Sequence, residues 1–439
     1  MTAFTDRDFP PDALRMLDSR QHILLTGNAG TGKSTLLNHW RSTRHQRRIL
    51  LAAPTGIAAL NIGGTTIHRL IHLTPGLTPE QAARRVRDWK PQWLSPLQVA
   101  DTLIIDEISM MRADLMDTLD LTCQHARHDT RPFGGIRLIM TGDLNQLPPV
   151  VTRDDQAMFG PHHRWAGPWM FQSHVIQQLT RSRRLAHIHL TRTHRQTDPA
   201  FIRLLDAIRA GHPTQNQLDL LNRQASRRPD PNGISLTALN HDAQRINQWH
   251  ARQLSGPEQT WRAHITGDWP DRLAPAPASL TLKPGMRIIM LANHADNLYA
   301  NGSQGTITRL THDGPIILFD TGEETLITPR QWPIGRDQTQ PDPTSESEYT
   351  IRHHIIGAYR QLPLKPGWAI TIHKSQGMTF THTNINPGAR PLFAPGMGYV
   401  ALSRNQTLTG IRLSRPLTGR DLTCDHTPDR FLTQLESNA

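Results

Sequence analysis

The segment Gly27-Asn28-Ala29-Gly30-Thr31-Gly32-Lys33-Ser34-Thr35 constrains the fold of this chain more than any other. It follows the apolar run Ile23-Leu24-Leu25 and precedes a helix-compatible stretch, Leu36-Leu37-Asn38-His39-Trp40. That order reads strand, glycine-rich loop, helix. Backbone N–H groups of such a loop converge on phosphate oxygens, and the helix N-terminus adds a favourable dipole. The full pattern G-x-x-x-x-G-K-S/T assigns Lys33 to the β- and γ-phosphates and the Ser34 hydroxyl to Mg²⁺. A glycine turn without function is the alternative, and the context disfavours it.

The rest of the first half supports an α/β reading. Candidate strands at residues 22–26, 49–53, 102–106 and 138–142 alternate with helical stretches, the signature of a parallel sheet covered by helices. A second such region is expected from about residue 188, with strands at 234–239, 368–371 and 410–414. Between about 270 and 362 the chain is rich in Pro, Gly and short β-like runs, which suggests a small inserted β-barrel. The expected domains are therefore 1–187, then 188–269 with 363–439, and the insert 270–362. Residues 335–348, polar with Pro and Ser, read as a flexible loop.

Two further segments carry chemistry. Leu103-Ile104-Ile105-Asp106-Glu107 is an apolar strand ending in paired carboxylates, and strand C-termini are where ligands sit in open α/β sheets. Asp106 would bind Mg²⁺ and Glu107 would polarise the water that attacks the γ-phosphate. Thr141-Gly142-Asp143-Leu144-Asn145-Gln146-Leu147-Pro148-Pro149 follows the next strand and places Gln146 to sense the γ-phosphate. Small residues in Ala53-Pro54-Thr55-Gly56 and Gly63-Gly64-Thr65-Thr66-Ile67-His68 would let a sugar-phosphate chain approach closely, with His68 adding a phosphate or base contact. Taken alone, those two read as a helix N-terminus and a glycine turn.

Charge points the same way. The formal net charge is +11, and only five of the 48 basic residues are Lys, leaving 43 Arg, which suits phosphate and nucleic-acid contact. An Arg-biased genome would give the same count. The abundance of Arg also means that residue chemistry alone cannot choose which of them act in trans on a phosphate. Two cysteines, Cys123 and Cys424, form no metal-ligand cluster or disulfide framework. Neither a signal-peptide core nor a run of about 18 apolar residues occurs, so a cytosolic protein without membrane association is expected.

The ordered set GNAGTGKST, APTGIAA, GGTTIH, LIIDEISM, GDLNQLPPV, THRQTD, TIHKSQGMT and YVALSR resembles the Pif/RecD-like branch of superfamily 1 DNA helicases, over about residues 21–416. The block from Ser109-Met110-Met111-Arg112 to Pro132-Phe133-Gly134-Gly135-Ile136 resembles the signature of its Pif-type members. The resemblance implies two RecA-like domains that bind ATP and Mg²⁺ between them, and 5′-to-3′ movement on single-stranded DNA. It implies that Arg195 and Arg404 are finger arginines. Gln376 and Gly377 would link the nucleotide to Thr371, His373 and Lys374, which grip DNA together with Pro54, Thr55, Gly56, Thr66 and His68. Asn301-Gly302-Ser303-Gln304-Gly305 is similar to the β-barrel turn of the family. The stretch Phe9-Pro10-Pro11-Asp12-Ala13 lacks the Gln that reads adenine in many superfamily members.

The expectation is thus a helicase of DNA replication, repair, recombination or telomere-type maintenance in a bacterial, nucleoid-associated cytosol. Its partners would be single-stranded DNA and forked or 5′-tailed duplex, with a monomeric state and contacts to other replication or repair proteins. Two rivals are a DNA-stimulated ATPase that remodels or loads without unwinding, and a single-stranded DNA-binding subunit of a larger complex. No base-stacking aromatic can be named from the sequence, and the Trp- and Arg-rich stretch 160–183 finds no role in this reading.

Overall fold

A computed structural model describes residues 5–43, 48–73, 78–86, 96–270, 273–294, 296, 298–341 and 349–437. The chain divides into two compact units: Met1–His194 with Gly335–Ile355 and His426–Ala439, and Arg195–Ile334 with Ile356–Asp425.

The first unit is built on six strands: β1 (His22–Gly27), β2 (Ile49–Ala53), β3 (Thr65–Thr66), β4 (Thr102–Ile105), β5 (Arg137–Gly142) and β6 (Leu185–Leu190). They lie in the order β3-β2-β4-β5-β1-β6, every neighbouring pair parallel. β1 is buried along its whole length, as a central strand covered on both faces must be. Alternation divides its side chains between two cores. Ile23 and Leu25 join Ile104 and Ile139 against Leu36, Leu37 and Trp40 of the helix Lys33–Thr43. Leu24 joins Leu103, Ile105, Leu138 and Met140 on the other face, against Met116, Leu119 and Cys123 of the helix Ala113–Arg127.

Parallel pairing puts all the strand C-termini on one edge. Thr26 is opposite Gly142, Ile105 opposite Met140, and Ala53 opposite Thr66. The loops that begin at Asn28, Asp106, Asp143 and Pro54 therefore leave from the same edge, where ligands bind in open α/β sheets.

The structure draws the domain boundaries differently from the sequence reading. The expected break at 187/188 would cut β6, which is hydrogen-bonded to β1 along six residues. Residues 426–439, expected in the second α/β domain, lie in the first unit. The reason is apolar patterning: Phe431 and Leu435 of the helix Thr427–Ser437 enter its core, and the Phe431 ring stacks on Phe171 at 4.5 Å and 7°.

In the second unit, β7 (Ile234–Thr237) is the first strand of a parallel α/β sheet completed further along the chain. Antiparallel strands then begin at β8 (Gln259–Arg262), earlier than the expected residue 270, and continue through β9 (His264–Gly267), β10 (Ser279–Leu282), β11 (Arg287–Met290), β12 (Gln304–Leu310), β13 (Pro315–Phe319), β14 (Glu324–Leu326), β15 (Arg330–Pro341), β16 (Tyr349–Gln361) and β17 (Leu364–Pro366). They form three sheets, the largest ordered β14-β13-β12-β11-β17 over a core of Leu282, Ile288, Ile307, Ile317 and Leu364. β18 (Ala369–Thr371), β19 (Thr383–Asn386) and β20 (Ile411–Leu413) then complete the parallel sheet in the order β18-β7-β19-β20.

The expected loop at 335–348 is corrected over its first half. Residues 335–341 continue β15, which pairs with β16, and His353 Nδ1 meets the Asp337 carboxylate at 2.8 Å. An antiparallel strand open to water on one face tolerates polar residues, so polarity alone does not identify a loop. Residues 342–348 lie outside the described residues. Among the described residues no helix is long and apolar enough to cross a membrane.

Candidate functional site

The loop Gly27–Thr35 is shaped by its glycines and its lysine. A Cβ added at Gly27 would lie 2.5 Å from the Leu190 carbonyl oxygen, so only glycine lets β1 turn away beside β6. Gly32 sits at φ +82°, a left-handed residue immediately before the helix at Lys33. The Lys33 ammonium donates to the carbonyl oxygens of Gly27 (2.8 Å) and Asn28 (3.1 Å), across the loop it belongs to. The Thr31 hydroxyl donates to the Asn28 carbonyl at 2.9 Å, and the His194 N–H donates to the Gly30 carbonyl at 2.8 Å. Ala29 and Thr31 are buried, whereas Ser34 is exposed on the first helical turn with Thr35 half-buried behind it.

Asp106 leaves the end of β4 with its carboxylate accepting the Glu107 N–H at 2.9 Å. Burial pushes the Asp106 pKa up; the Glu107 N–H and the nearby Lys33 charge oppose the shift. Glu107 occupies the left-handed region at φ 52° and ψ 46°, a conformation that costs a non-glycine residue energy and gathers at functional sites. The donor set fits a magnesium nucleotide. A backbone loop closes on a lysine through its carbonyls, an exposed serine hydroxyl lies on the first helical turn, and a half-buried carboxylate lies within electrostatic reach of that lysine.

On the neighbouring loop, buried Asp143 organises a turn. It accepts the Asn145 N–H at 3.2 Å and the Gln146 side-chain amide at 3.2 Å, and its own carbonyl accepts the Gln146 N–H at 3.1 Å. On the β2 and β3 side, Thr55 caps the helix Gly56–Asn61 by accepting the Ala58 N–H, and Thr66 caps the next turn by accepting the Arg69 N–H. Pro54 and Gly56 are half-buried there, and His68 is exposed. The first unit thus gathers Gly27–Thr35, Asp106, Glu107, Gln146, Pro54–Gly56, Thr66 and His68 on one sheet edge.

The second unit makes its own constellation. Arg195 and Arg404, 209 residues apart in sequence, are neighbours. Arg195 donates to the Ser403 carbonyl at 3.2 Å, and Arg404 is 1% exposed, held by the Val400 carbonyl (2.9 Å) and the Ser403 hydroxyl (2.8 Å). Burial and the Arg404 charge both disfavour the positive charge on Arg195. Gln196 braces the same corner through the Ser403 (3.1 Å) and Asn405 (2.8 Å) carbonyls. After β18, buried Thr371 accepts the Lys374 N–H at 3.3 Å, and a tight turn places His373, exposed Lys374, half-buried Gln376 and Gly377 in succession. The Phe380 N–H donates to the Arg404 carbonyl at 2.9 Å, tying that turn to the arginine pair. The turn at Gly302 packs against it too, since a Cβ there would sit 3.2 Å from Met378 Cβ.

A model of the PIF1-like helicase family matches residues 14–219. Mouse ATP-dependent DNA helicase PIF1 is 32% identical over 91% of this chain and 58% of its own length. The crystal structure of Bacteroides sp Pif1 in complex with ADP-AlF4 superposes with a TM-score of 0.87 at 30% identity, covering 100% of this chain and 98% of that one. The chain belongs to the PIF1-like helicase family. It therefore has the two RecA-like domains of that fold. It spans about three fifths of the length of the mammalian relative. Bacteroides Pif1 in complex with ADP-AlF3 and single-stranded DNA superposes with a TM-score of 0.67 at 30% identity, over 100% of this chain and 98% of that one.

In this member of the PIF1-like helicase family the signature block between Ser109 and Ile136 is an internal brace. Asp117 accepts from Trp165 Nε1 (2.7 Å) and from the backbone N–H groups of His174 and Val175 (3.1 Å each), anchoring the start of the helix His174–Arg181. Asp120 accepts the Phe133 N–H at 2.5 Å; burial raises its pKa to about 6. Arg127 donates to the carbonyls of Gly134, Leu97, Gln98 and Ala100. The unexplained Trp- and Arg-rich stretch is part of the same brace: Arg164 pairs with Glu80 and lies 4.8 Å over the Trp165 ring. Asp143 and Asn145 were not picked out from sequence, because a Gly-Asp turn is common; the signal was their place between a strand end and Gln146. A lone Phe such as Phe393 carries no sequence pattern. It is 62% exposed and stacks on His373 at 5.9 Å and 15°.

Proposed function

We propose that this chain is the motor core of an ATP-dependent DNA helicase that moves 5′ to 3′ along single-stranded DNA. The observation that carries this reading is the Arg195–Arg404 pair. Two cations are held together against their repulsion in a unit separate from the one bearing Lys33, Asp106 and Glu107. Such a pair suits a phosphoryl group delivered by the other unit. The amides of Gly27–Thr35 and Lys33 would hold the β- and γ-phosphates, with Ser34 and Asp106 taking Mg²⁺, which neutralises phosphate charge when bound. Glu107 would polarise the attacking water, Gln146 would register the γ-phosphate, and Gln376 and Gly377 would relay it to the strand-gripping turn.

Thr371, His373, Lys374, Pro54, Thr55, Gly56, Thr66 and His68 would hold the strand, with exposed Phe393 offering a face for a base, worth about 1–3 kcal/mol per stack. That single-stranded DNA and a nucleotide analogue occupy the Bacteroides relative supports this assignment. We place the protein in the bacterial cytosol as a monomer acting in replication, repair, recombination or telomere-type maintenance alongside other proteins of those processes. Forked and 5′-tailed duplexes would be its substrates.

Glu107→Gln should bind ATP·Mg²⁺ with near-parent affinity and hydrolyse it about 10²–10⁴-fold more slowly, because the amide keeps the shape and loses the charge. Nucleotide binding and single-turnover hydrolysis measured together check this; lost binding with unchanged chemistry would contradict the role. Strand displacement on duplexes with a 5′ or a 3′ single-stranded tail tests the function itself. Unwinding of the 5′-tailed substrate alone is expected. Unwinding from the 3′ tail would overturn the polarity, and ATP turnover without displacement would favour a loader or remodelling ATPase.

A further inference from the structure

We propose that Asp429, on the helix Thr427–Ser437, is a positioning residue for Gln146 and acts through Asn145. Asn145 sits in the turn between β5 and Leu147 and is 7% exposed. Its backbone N–H donates to Asp143, and its side-chain amide donates to Asp429 Oδ1 at 2.9 Å. An ionised carboxylate only accepts, so this contact decides which way the amide faces. The orientation leaves Asn145 Oδ1 buried without a partner among the described residues. A buried acceptor without a donor is unfavourable, so the amide stays this way round because Asp429 holds it.

The amide it holds belongs to the residue next to Gln146, and both hang on the same Asp143 carboxylate, through the Asn145 N–H on Oδ1 and the Gln146 Nε2 on Oδ2. A rotation at Asn145 therefore moves the frame that aims Gln146. The tether is itself firmly seated. Phe431 and Leu435 anchor the helix in the core of the first unit, and the next residue, Glu436, meets the His187 ring at 3.3 Å. The other ring nitrogen of His187, Nε2, meets the Thr26 hydroxyl at 2.7 Å, in the residue immediately before the phosphate loop. The helix thus touches the turn after β5 and His187 within β6, the two strands that flank β1, an arrangement that a mere core-filling helix does not require. Nothing about the role of Asp429 is visible in its local sequence, because the contact spans 284 residues.

The inference rests on the reading of Gln146 as the γ-phosphate sensor. Asp429→Ala should lower the kcat of ATP hydrolysis about fivefold to tenfold, with the KM for ATP changed less than about twofold, since the sensor acts on the transition state rather than on binding. Asp429→Asn, which keeps an acceptor for the Asn145 amide, should stay near the parent. Asn145→Asp, which sets two carboxylates face to face, should be impaired, and adding Asp429→Asn to it should restore activity. In a Gln146→Ala background Asp429→Ala should cost nothing further, an outcome that a general loss of packing would not give. Normal kcat in Asp429→Ala, or a loss that adds fully to that of Gln146→Ala, would overturn the positioning role. Lys33→Ala run alongside separates the two levels. If it retains turnover, the ATPase reading fails; if it is dead while Asp429→Ala is normal, only the tether fails.

Discussion

Arg404→Ala and Arg195→Ala should each cut DNA-stimulated ATP turnover by about 10³-fold or more, the scale of an arginine finger, while leaving single-stranded DNA affinity near the parent. Both residues lie in the second unit, and the phosphate loop lies in the first. Their charge would count only when the two units close on nucleotide, where it offsets charge building up on the γ-phosphate. Arg404 is the harder test, because its guanidinium is buried and also holds the Val400 carbonyl and the Ser403 hydroxyl. Thermal melting of the variant must therefore accompany the assay. Arg404→Lys separates the roles, since it keeps a charge but lacks the planar fork, and it should restore little turnover. Steady-state ATPase with strand displacement reads both variants. An Arg195→Ala or Arg404→Ala protein with normal ATPase and unwinding would move the finger role to other arginines.

Lys33→Ala should reduce ATP turnover by at least about 10²–10³-fold, comparable to removing a dedicated donor from a preorganised anion site. The ammonium bridges the Gly27 and Asn28 carbonyls and would offer its charge to phosphate, so nucleotide affinity should fall along with kcat. The fold should persist. The strands around the loop are held by pairing of β1 with β5 and β6 and by the two cores, none of which uses Lys33. Circular dichroism beside nucleotide titration and turnover measures all three. Turnover near the parent rate with an intact fold would contradict the assignment of the loop.

The candidate nucleotide residues are legible in the sequence because their signals are local. The loop 27–35 and the pair Asp106-Glu107 are contiguous, and each follows an apolar strand, so strand end and chemistry arrive together. Long-range packing was not readable in the same way. The helix Thr427–Ser437 belongs to the first unit because Phe431 finds Phe171, a partner 260 residues away. β15 carries Gly, Asp, Gln and Pro in a stretch that resembles a loop until its partner strand supplies the hydrogen bonds. The Arg195–Arg404 neighbourhood could be reached only through the family resemblance, because the chain offers 43 arginines and no local pattern distinguishes two of them. The signature block is legible as a pattern but its work is not: Asp117, Asp120 and Arg127 reach backbone groups 58, 13 and 30 residues away.

The most direct measurement is ATP turnover by the purified chain with and without single-stranded DNA. A nucleotide-driven motor that grips one strand should hydrolyse ATP slowly alone and much faster when single-stranded DNA is added, with both rates lost in Lys33→Ala. Turnover indifferent to single-stranded DNA, or no turnover above that of Lys33→Ala, would contradict it.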